Sequence, residues 1–326
     1  MHMADALLSP AVALTMDAVS AAACVYCGKK IRQEKPDAKL IPLMGVSGAF
    51  VFAGQMINVS IPLTGASGHL GGGILLAALL GPEPALLTMT VVLFIQCLCF
   101  ADGGLLALGC NVFHMGVIPC LLIYPLLVAP LLKQGNRKKR LLPVSLLGAI
   151  LSLQLGSFGV VLETTLSGVT ALPFGQFLLL MQPIHLAIGI LEGIITGGVL
   201  LFLYQERPEI LALERSASEQ KISLSKPALT LAILALLIGG GLSLLASAAP
   251  DGLEWSIQSI TGSPELTGAT TLHQQAETVQ MQSAIDPDYS HTSVAGILGA
   301  VITAAVAGLL AYLIRFRQKR HDKALH

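Results

Sequence analysis

Charge is scarce in this chain, and it is confined where it occurs. Only 12% of the 326 residues are charged and 5% are aromatic, with a single tryptophan. A soluble domain carries about 25% charged residues, so a water-soluble globule is excluded. No Lys or Arg precedes Lys29. The start therefore lacks the basic stretch of a cleaved secretion signal, and the N-terminus is expected to be retained. A GxxxxGK(S/T) loop, an HExxH helix and a GxSxG elbow are all missing; Gly28-Lys29-Lys30 has neither the upstream glycine nor the following Ser or Thr. The chain is thus not expected to hydrolyse ATP or to be an enzyme. Energy for any work would come from a partner or a gradient, and no nucleic-acid partner is expected. The six cysteines (Cys24, Cys27, Cys97, Cys99, Cys110 and Cys120) all fall in apolar segments, which argues against a disulfide framework. Cys24 and Cys27 have CxxC spacing but read as small packing residues of a helix.

Apolar residues are abundant instead, at 54%. They fall in nine segments, near 7–28, 40–58, 70–81, 85–100, 105–132, 141–162, 174–204, 227–248 and 292–314. Several reach the roughly 20 residues needed to cross a bilayer, so the expected fold is an all-α polytopic membrane protein. All nineteen basic residues sit in four connections: Lys29–Lys39, Lys133–Arg140, Arg207–Lys226 and Arg315–Lys323. With nine spans these four regions share one face, which the positive-inside rule makes the cytoplasm. The expectation is a multi-pass protein of the cytoplasmic (inner) membrane, N-terminus outside and C-terminus inside. The third and fourth segments are short, and the third carries Gly71, Gly72 and Gly73. Short or broken helices are tolerated at membrane depth where they line an enclosed site. The charged linker 205–226 divides the chain into a seven-span unit, 1–204, and a two-span hairpin, 227–326, with an outer loop at 249–291. That loop holds Asp251, Glu254, Glu265, Glu277, Asp286 and Asp288 and no basic residue. It reads either as a cation-concentrating surface or as ordinary solvated loop.

A histidine at position two of a free amino terminus has its own chemistry. The α-amine of Met1, the His2 amide nitrogen and the His2 ring can chelate one ion in fused five- and six-membered rings. A fourth nitrogen completes a plane, a geometry that suits Ni(II) or Cu(II). His69, in the outward turn before the third segment, is the candidate donor; the alternative is that His2 is an ordinary terminal residue and His69 a polar turn residue. Asp102, Asn111, Asn58 and Gln55 are candidates to hold the ligands in place by hydrogen bonds, and Asp5 to anchor the terminal loop. His185 and Glu192, seven residues apart on one helix face, read as interhelical hydrogen-bonding groups or contacts to a coupling partner.

The motifs also resemble a family. Met1-His2-Met3-Ala4-Asp5-Ala6-Leu7-Leu8-Ser9-Pro10 is similar to the opening MHIxDGxLSP of the CbiM/NikM substrate-capture components of energy-coupling-factor nickel and cobalt transporters. The resemblance continues through Gln55-Met56-Ile57-Asn58, Thr64-Gly65-Ala66-Ser67-Gly68-His69-Leu70-Gly71-Gly72, Phe100-Ala101-Asp102-Gly103-Gly104, Asn111 and His185-Leu186-Ala187-Ile188-Gly189. Pro250-Asp251-Gly252-Leu253-Glu254 resembles the PDGLE segment of a small companion subunit, here fused to the same chain. The resemblance implies a seven-helix capture unit and Ni(II) or Co(II) as transported substrate, bound by Met1, His2 and His69. It also implies a separate coupling transmembrane subunit, two ABC-type ATPases and no resident cofactor. Two positions depart from the pattern: Ala6 replaces a glycine, and His114 stands where asparagine is expected. His114 is either a supporting or transfer ligand or a hydrogen-bonded residue within the bundle. The rival readings are a stand-alone secondary metal transporter, a vitamin-type capture component, and an intramembrane enzyme using His114, His185 and Glu192.

Overall fold

Apolar runs in lipid must satisfy their backbone groups internally, and a helix does so within one segment. The computed structural model describes residues 2–34, 40–215, 225–264, 266–268 and 270–324. It is helical nearly throughout; the one sheet among the described residues pairs β1 (Val59–Ser60) with β2 (Ser67–Gly68). Among the described residues nine apolar helices make the bundle. They are α1 (Pro10–Gln33), α2 (Leu40–Gln55), α3 (Gly73–Leu80), α4 (Pro82–Phe100), α5 (Leu108–Lys133), α6 (Arg137–Ser167), α7 (Phe174–Glu206), α8 (Ser225–Gly240) and α11 (Thr292–Ala324). Between α8 and α11 lie two shorter helices, α9 (Gly252–Thr261) and α10 (Thr271–Ser283). Among the described residues seven helices are long and apolar enough to cross a membrane. The 16-residue α2 is shorter, and the eight-residue α3 is about 12 Å long, less than half a bilayer core. Residues 70–72, expected to open the third span, instead form an irregular approach to α3. Only Gly81, with φ +91°, separates α3 from α4.

The middle of α5, Phe113–Val128, is π-wound and contains Pro119 and Pro125. Each proline removes a backbone donor and crowds the preceding turn, which the wider winding relieves. α2 is central: eleven of its residues are buried, packed against α4, α8 and α11. The α8–α11 approach is close because Gly239 and Gly296 face each other; a Cβ on Gly296 would lie 2.1 Å from the Gly239 carbonyl oxygen. Such contact is how helices associate in lipid, where burial in water gives no drive.

The two ends of the bundle differ chemically. At one end Lys30 pairs with Glu83 and Arg137 with Glu214. There Arg215 donates to the carbonyl oxygens of Leu79 and Leu80, 3.2 and 3.3 Å away, satisfying acceptors that the end of α3 leaves open. The opposite end, where α1 starts and α4 stops, holds His2, His69 and Asp102. The 249–291 stretch is folded over that end. Asp251 caps α9, its Oδ1 accepting from the Leu253 and Glu254 amides, while Glu254 accepts from the Asp251 amide. Asp286 accepts from the His291 amide at 3.0 Å. Asp251, Glu254 and Asp286 are thus acceptors within the fold.

Candidate metal centre

The N-terminal turn is fixed by main-chain pairing. The Met3 amide donates to Asn111 Oδ1 at 2.7 Å, and the Met3 carbonyl accepts from Asn111 Nδ2 at 3.2 Å and from the Gly104 amide at 2.8 Å. Asp5 Oδ1 accepts from the Ala107 amide at 2.9 Å. Ser9 then caps α1 and Pro10 begins it, the ordinary chemistry of a helix start. Asn111 and Asp5 thus hold the turn. Gly104 has no room for a side chain: a Cβ would sit 1.9 Å from Asp5 Oδ1. Ala6 lies in a 3-10 turn and is not among the residues of positive φ, so the position makes no demand for glycine.

The turn places His2 against α4. His2 Nε2 is 3.2 Å from Gln96 Oε1, and Gln96 Nε2 donates to Gln55 Oε1 at 2.9 Å. Gln55 Nε2 in turn donates to the Gly71 carbonyl at 2.9 Å. This chain of amides leaves Gln96 Oε1 as an acceptor, so His2 donates from Nε2–H and its lone pair is on Nδ1. That Nδ1 is 3.3 Å from Asp102 Oδ1. Burial lowers the pKa of His2, and the neutral ring has no proton to share with the carboxylate. Two lone pairs face one another, an arrangement that a cation relieves. Asp102 is held from its other oxygen by Tyr289, whose hydroxyl donates to Oδ2 at 2.7 Å.

His69 follows the β1–β2 hairpin, in which Val59 pairs with Gly68 and Ser60 with Ser67. The hairpin is tied to the companion segment through the Ser67 amide, which donates to the Pro250 carbonyl at 2.7 Å, and a β-bridge to Asp251. His69 Nδ1 lies 3.1 Å from the Leu70 carbonyl, so it carries the proton and the lone pair is on Nε2. The ring stacks on His2 at 5.4 Å between centroids and 22° between planes. Burial, with help from the neighbouring His2, pushes the His69 pKa down to about 3. Both imidazoles are therefore neutral at pH 7, the form that ligates metals.

Met1, the expected amine donor, lies outside the described residues. Asn58 takes no part in the His2 network: its Oδ1 is buried without a hydrogen-bond partner, and its carbonyl accepts from Ser247. His114 is deeper, at 2.9 Å from Glu163. His185 and Glu192 are in the same interior, Glu192 Oε1 accepting from the Gly72 amide at 3.0 Å. Gln96, Tyr289 and Gln280 were not singled out in the sequence. Gln96 alone left a trace there, as the one amide in the apolar run 85–100.

An all-helical polytopic bundle with two neutral imidazoles enclosed at one end defines a membrane protein built around a small polar site. Comparison with known proteins identifies which kind. Residues 2–210 match the CbiM family model, described as the cobalt uptake substrate-specific transmembrane region, and residues 225–316 match the PDGLE domain. The chain belongs to the CbiM family and carries a PDGLE domain behind it. A relative from Archaeoglobus fulgidus, named for fused nickel transport as NikMN, is 31% identical over 325 residues, spanning 97% of this chain and 99% of its own. The fused nickel transport protein NikMN of Rhodobacter capsulatus is 30% identical over 83% of this chain and 80% of its own. The crystal structure of a transition metal transporter is 31% identical, covers 67% of this chain and 98% of its own, and aligns with a TM-score of 0.57. The relatives are transport proteins, and the chain is a multi-pass membrane component of nickel/cobalt transport.

Proposed function

We propose that this chain is the substrate-capture component of an ATP-driven energy-coupling-factor importer. It takes up Ni(II) or Co(II) at the outer membrane face through the Met1 amine, the His2 amide and ring nitrogens and the His69 ring. The carrying observation is the tautomer of His2: Gln96 fixes the proton on Nε2, and Nδ1, the atom that closes the six-membered chelate ring, is left bare beside Asp102. His69 stacked alongside brings a second neutral imidazole. A plane of nitrogens favours nickel over zinc, and the relatives that share both parts of this chain are named for nickel. The grouping of Lys30, Arg137 and Arg215 at the far end supports an N-terminus outside and a C-terminus inside the cytoplasmic membrane.

Energy comes from two ABC-type ATPases and a coupling transmembrane subunit, since the chain has no nucleotide loop. The test is nickel binding by the purified full-length protein, beside His2→Ala, His69→Ala and a variant with one residue inserted between positions 1 and 2. All three lose tight binding if the chelate is real. The insertion keeps every side chain and breaks only the ring sizes, so tight binding by that variant defeats the chelate. Uptake by cells expressing this chain without ATPases would defeat the ATP-driven reading.

A further inference from the structure

The chain on both sides of His69 rests on one turn of one helix. Gly68 lies against Ile188, and the Gly72 amide is held by Glu192. Ile188 and Glu192 are four apart on α7, so they lie on one face, one above the other. The contact at Gly68 is close: a Cβ there would lie 2.6 Å from Ile188 Cγ1. On the other side of His69 a single peptide unit is gripped from two helices. Its carbonyl, that of Gly71, accepts from Gln55 Nε2 of α2 at 2.9 Å. Its amide, that of Gly72, donates to Glu192 Oε1 of α7 at 3.0 Å. The peptide has no room for side chains: a Cβ on Gly71 would lie 2.7 Å from Glu192 Oε2, and one on Gly72 would lie 2.6 Å from Val51 Cγ1 of α2.

Glu192 is 4% exposed, and a carboxyl group at membrane depth is a functional hypothesis by default. Among the described residues no Lys, Arg or His pairs with it. Its partner is the main chain that opens α3, of which Gly72 is the N-cap. A helix start offers unpaired N–H groups and partial positive charge, which offsets part of the cost of burying an acid. An ordinary cap is local, a Ser, Thr, Asp or Asn at the N-cap itself. Here the acceptor comes from 120 residues away, on the helix face that also seats Gly68.

We propose that Glu192 is a positioning residue for the metal ligand His69. Acting through the Gly71–Gly72 peptide, with Ile188 beneath Gly68, it sets where the His69 ring stands against His2, and it binds no ion itself. The inference rests on the proposed function, which makes His69 a ligand. Between Ile188 and Glu206 α7 contains no proline, so one unbroken helical segment joins the seat of His69 to the end where the basic linker begins. A rotation of that segment withdraws both supports of His69 together.

Nickel chloride is the probe, titrated into the full-length protein in detergent, with affinity and the visible nickel band as readouts. The variants are Glu192→Leu, Glu192→Gln and, as reference, His69→Ala. Leucine removes the acceptor, whereas glutamine keeps a carbonyl oxygen for the Gly72 amide and removes only the charge. Glu192→Leu should weaken binding by about tenfold or more. Its nickel band should move toward that of His69→Ala, because the N-terminal nitrogens stay and the fourth is lost. Glu192→Gln should stay within about threefold of the unaltered protein, since the hydrogen bond is kept. Thermal melts verify folding; where the leucine variant is unfolded, Ile188→Ala, which empties the seat under Gly68, replaces it with the same displacement expected. An unaltered affinity and band in Glu192→Leu overturns the proposal. So does an equal loss in the leucine and glutamine variants, which would make charge the working feature. A His69→Ala protein with the unaltered affinity and band defeats the chelate itself. A changed His69→Ala protein beside an unchanged Glu192→Leu protein defeats only the positioning role.

Discussion

At the residue scale, the site is a matter of which nitrogen carries a proton. His2 and His69 are legible in the sequence as two histidines expected on one face. Gln96 is not, because its role depends on the rotation of α4 against α1 and on a three-member amide chain through Gln55 to Gly71. Gln96→Leu keeps the volume and removes the acceptor that fixes His2. It should weaken nickel binding by about 10- to 100-fold without unfolding the protein, as read by calorimetry and thermal melting. Asn58→Ala, outside the network, should leave the affinity unchanged. The His69 ring gives a pH prediction. Its folded pKa is about 3, below the ordinary 6.5 of an unfolded histidine. The unfolded state therefore binds the proton first, and stability is present above pH 6.5 and lost as pH falls from there toward 3. The metal-free protein should melt at progressively lower temperature across that window, and His69→Gln should lessen the slope. Parallel curves for the two proteins would show that His69 is not buried as a neutral ring.

At the element scale, the end of α4 shows what sequence order conceals. A helix leaves its last carbonyls without partners, and those of α4 are satisfied by residues some 180 positions later. Gln280 donates to the Cys97 carbonyl at 3.0 Å and also to that of Gly103, Ser283 donates to Leu98 at 2.9 Å, and the Ile285 amide donates to Cys99 at 2.8 Å. His273, from the same α10, reaches the Leu8 carbonyl at 3.0 Å. Composition makes 249–291 a polar stretch, since α10 faces main chain and not an apolar core. Its role is to cap α4 and hold the turn at Asp102. A Gln280→Ala, Ser283→Ala double variant should speed hydrogen exchange at residues 98–104 and weaken nickel binding roughly tenfold, the cost of freeing groups that orient a ligand. Exchange rates equal to those of the unaltered protein would mean that α4 holds its own end. Gly104→Ala tests the same contact from beneath. Its Cβ would overlap Asp5, so the N-terminal turn must shift and tight binding should be lost while the long helices remain.

At the scale of the whole molecule, the nine apolar segments are readable from hydropathy, and so is the division at the linker. How the two units interlock is not readable, because that depends on small residues meeting across helices. α2 is too short to be a comfortable span, yet it lies at the centre of the bundle, covered by α8 and α11. Gly45 lies against the Ala304 carbonyl and Gly48 against Thr303 of α11. The companion unit also supplies Pro250 and Asp251 to the His69 hairpin and Tyr289 to Asp102. The C-terminal unit is thus part of both the bundle and the site. A chain ended after residue 210 uncovers one face of α2, opens the end of α4 and loses the partner of Asp102 in a single step. It should melt roughly 10 °C or more below the full chain, the size of a loss of several kcal/mol in a unit of this length, and its nickel affinity should fall further than with any single supporting substitution. Residues 211–326 co-expressed as a separate chain should restore both properties, because that fragment carries every residue named above that packs on α2, closes the end of α4 or pairs with Asp102, Arg137 and the end of α3. A truncated chain that binds nickel as tightly as the full protein would place the whole site within the first seven helices and leave the fused hairpin a role in assembly alone.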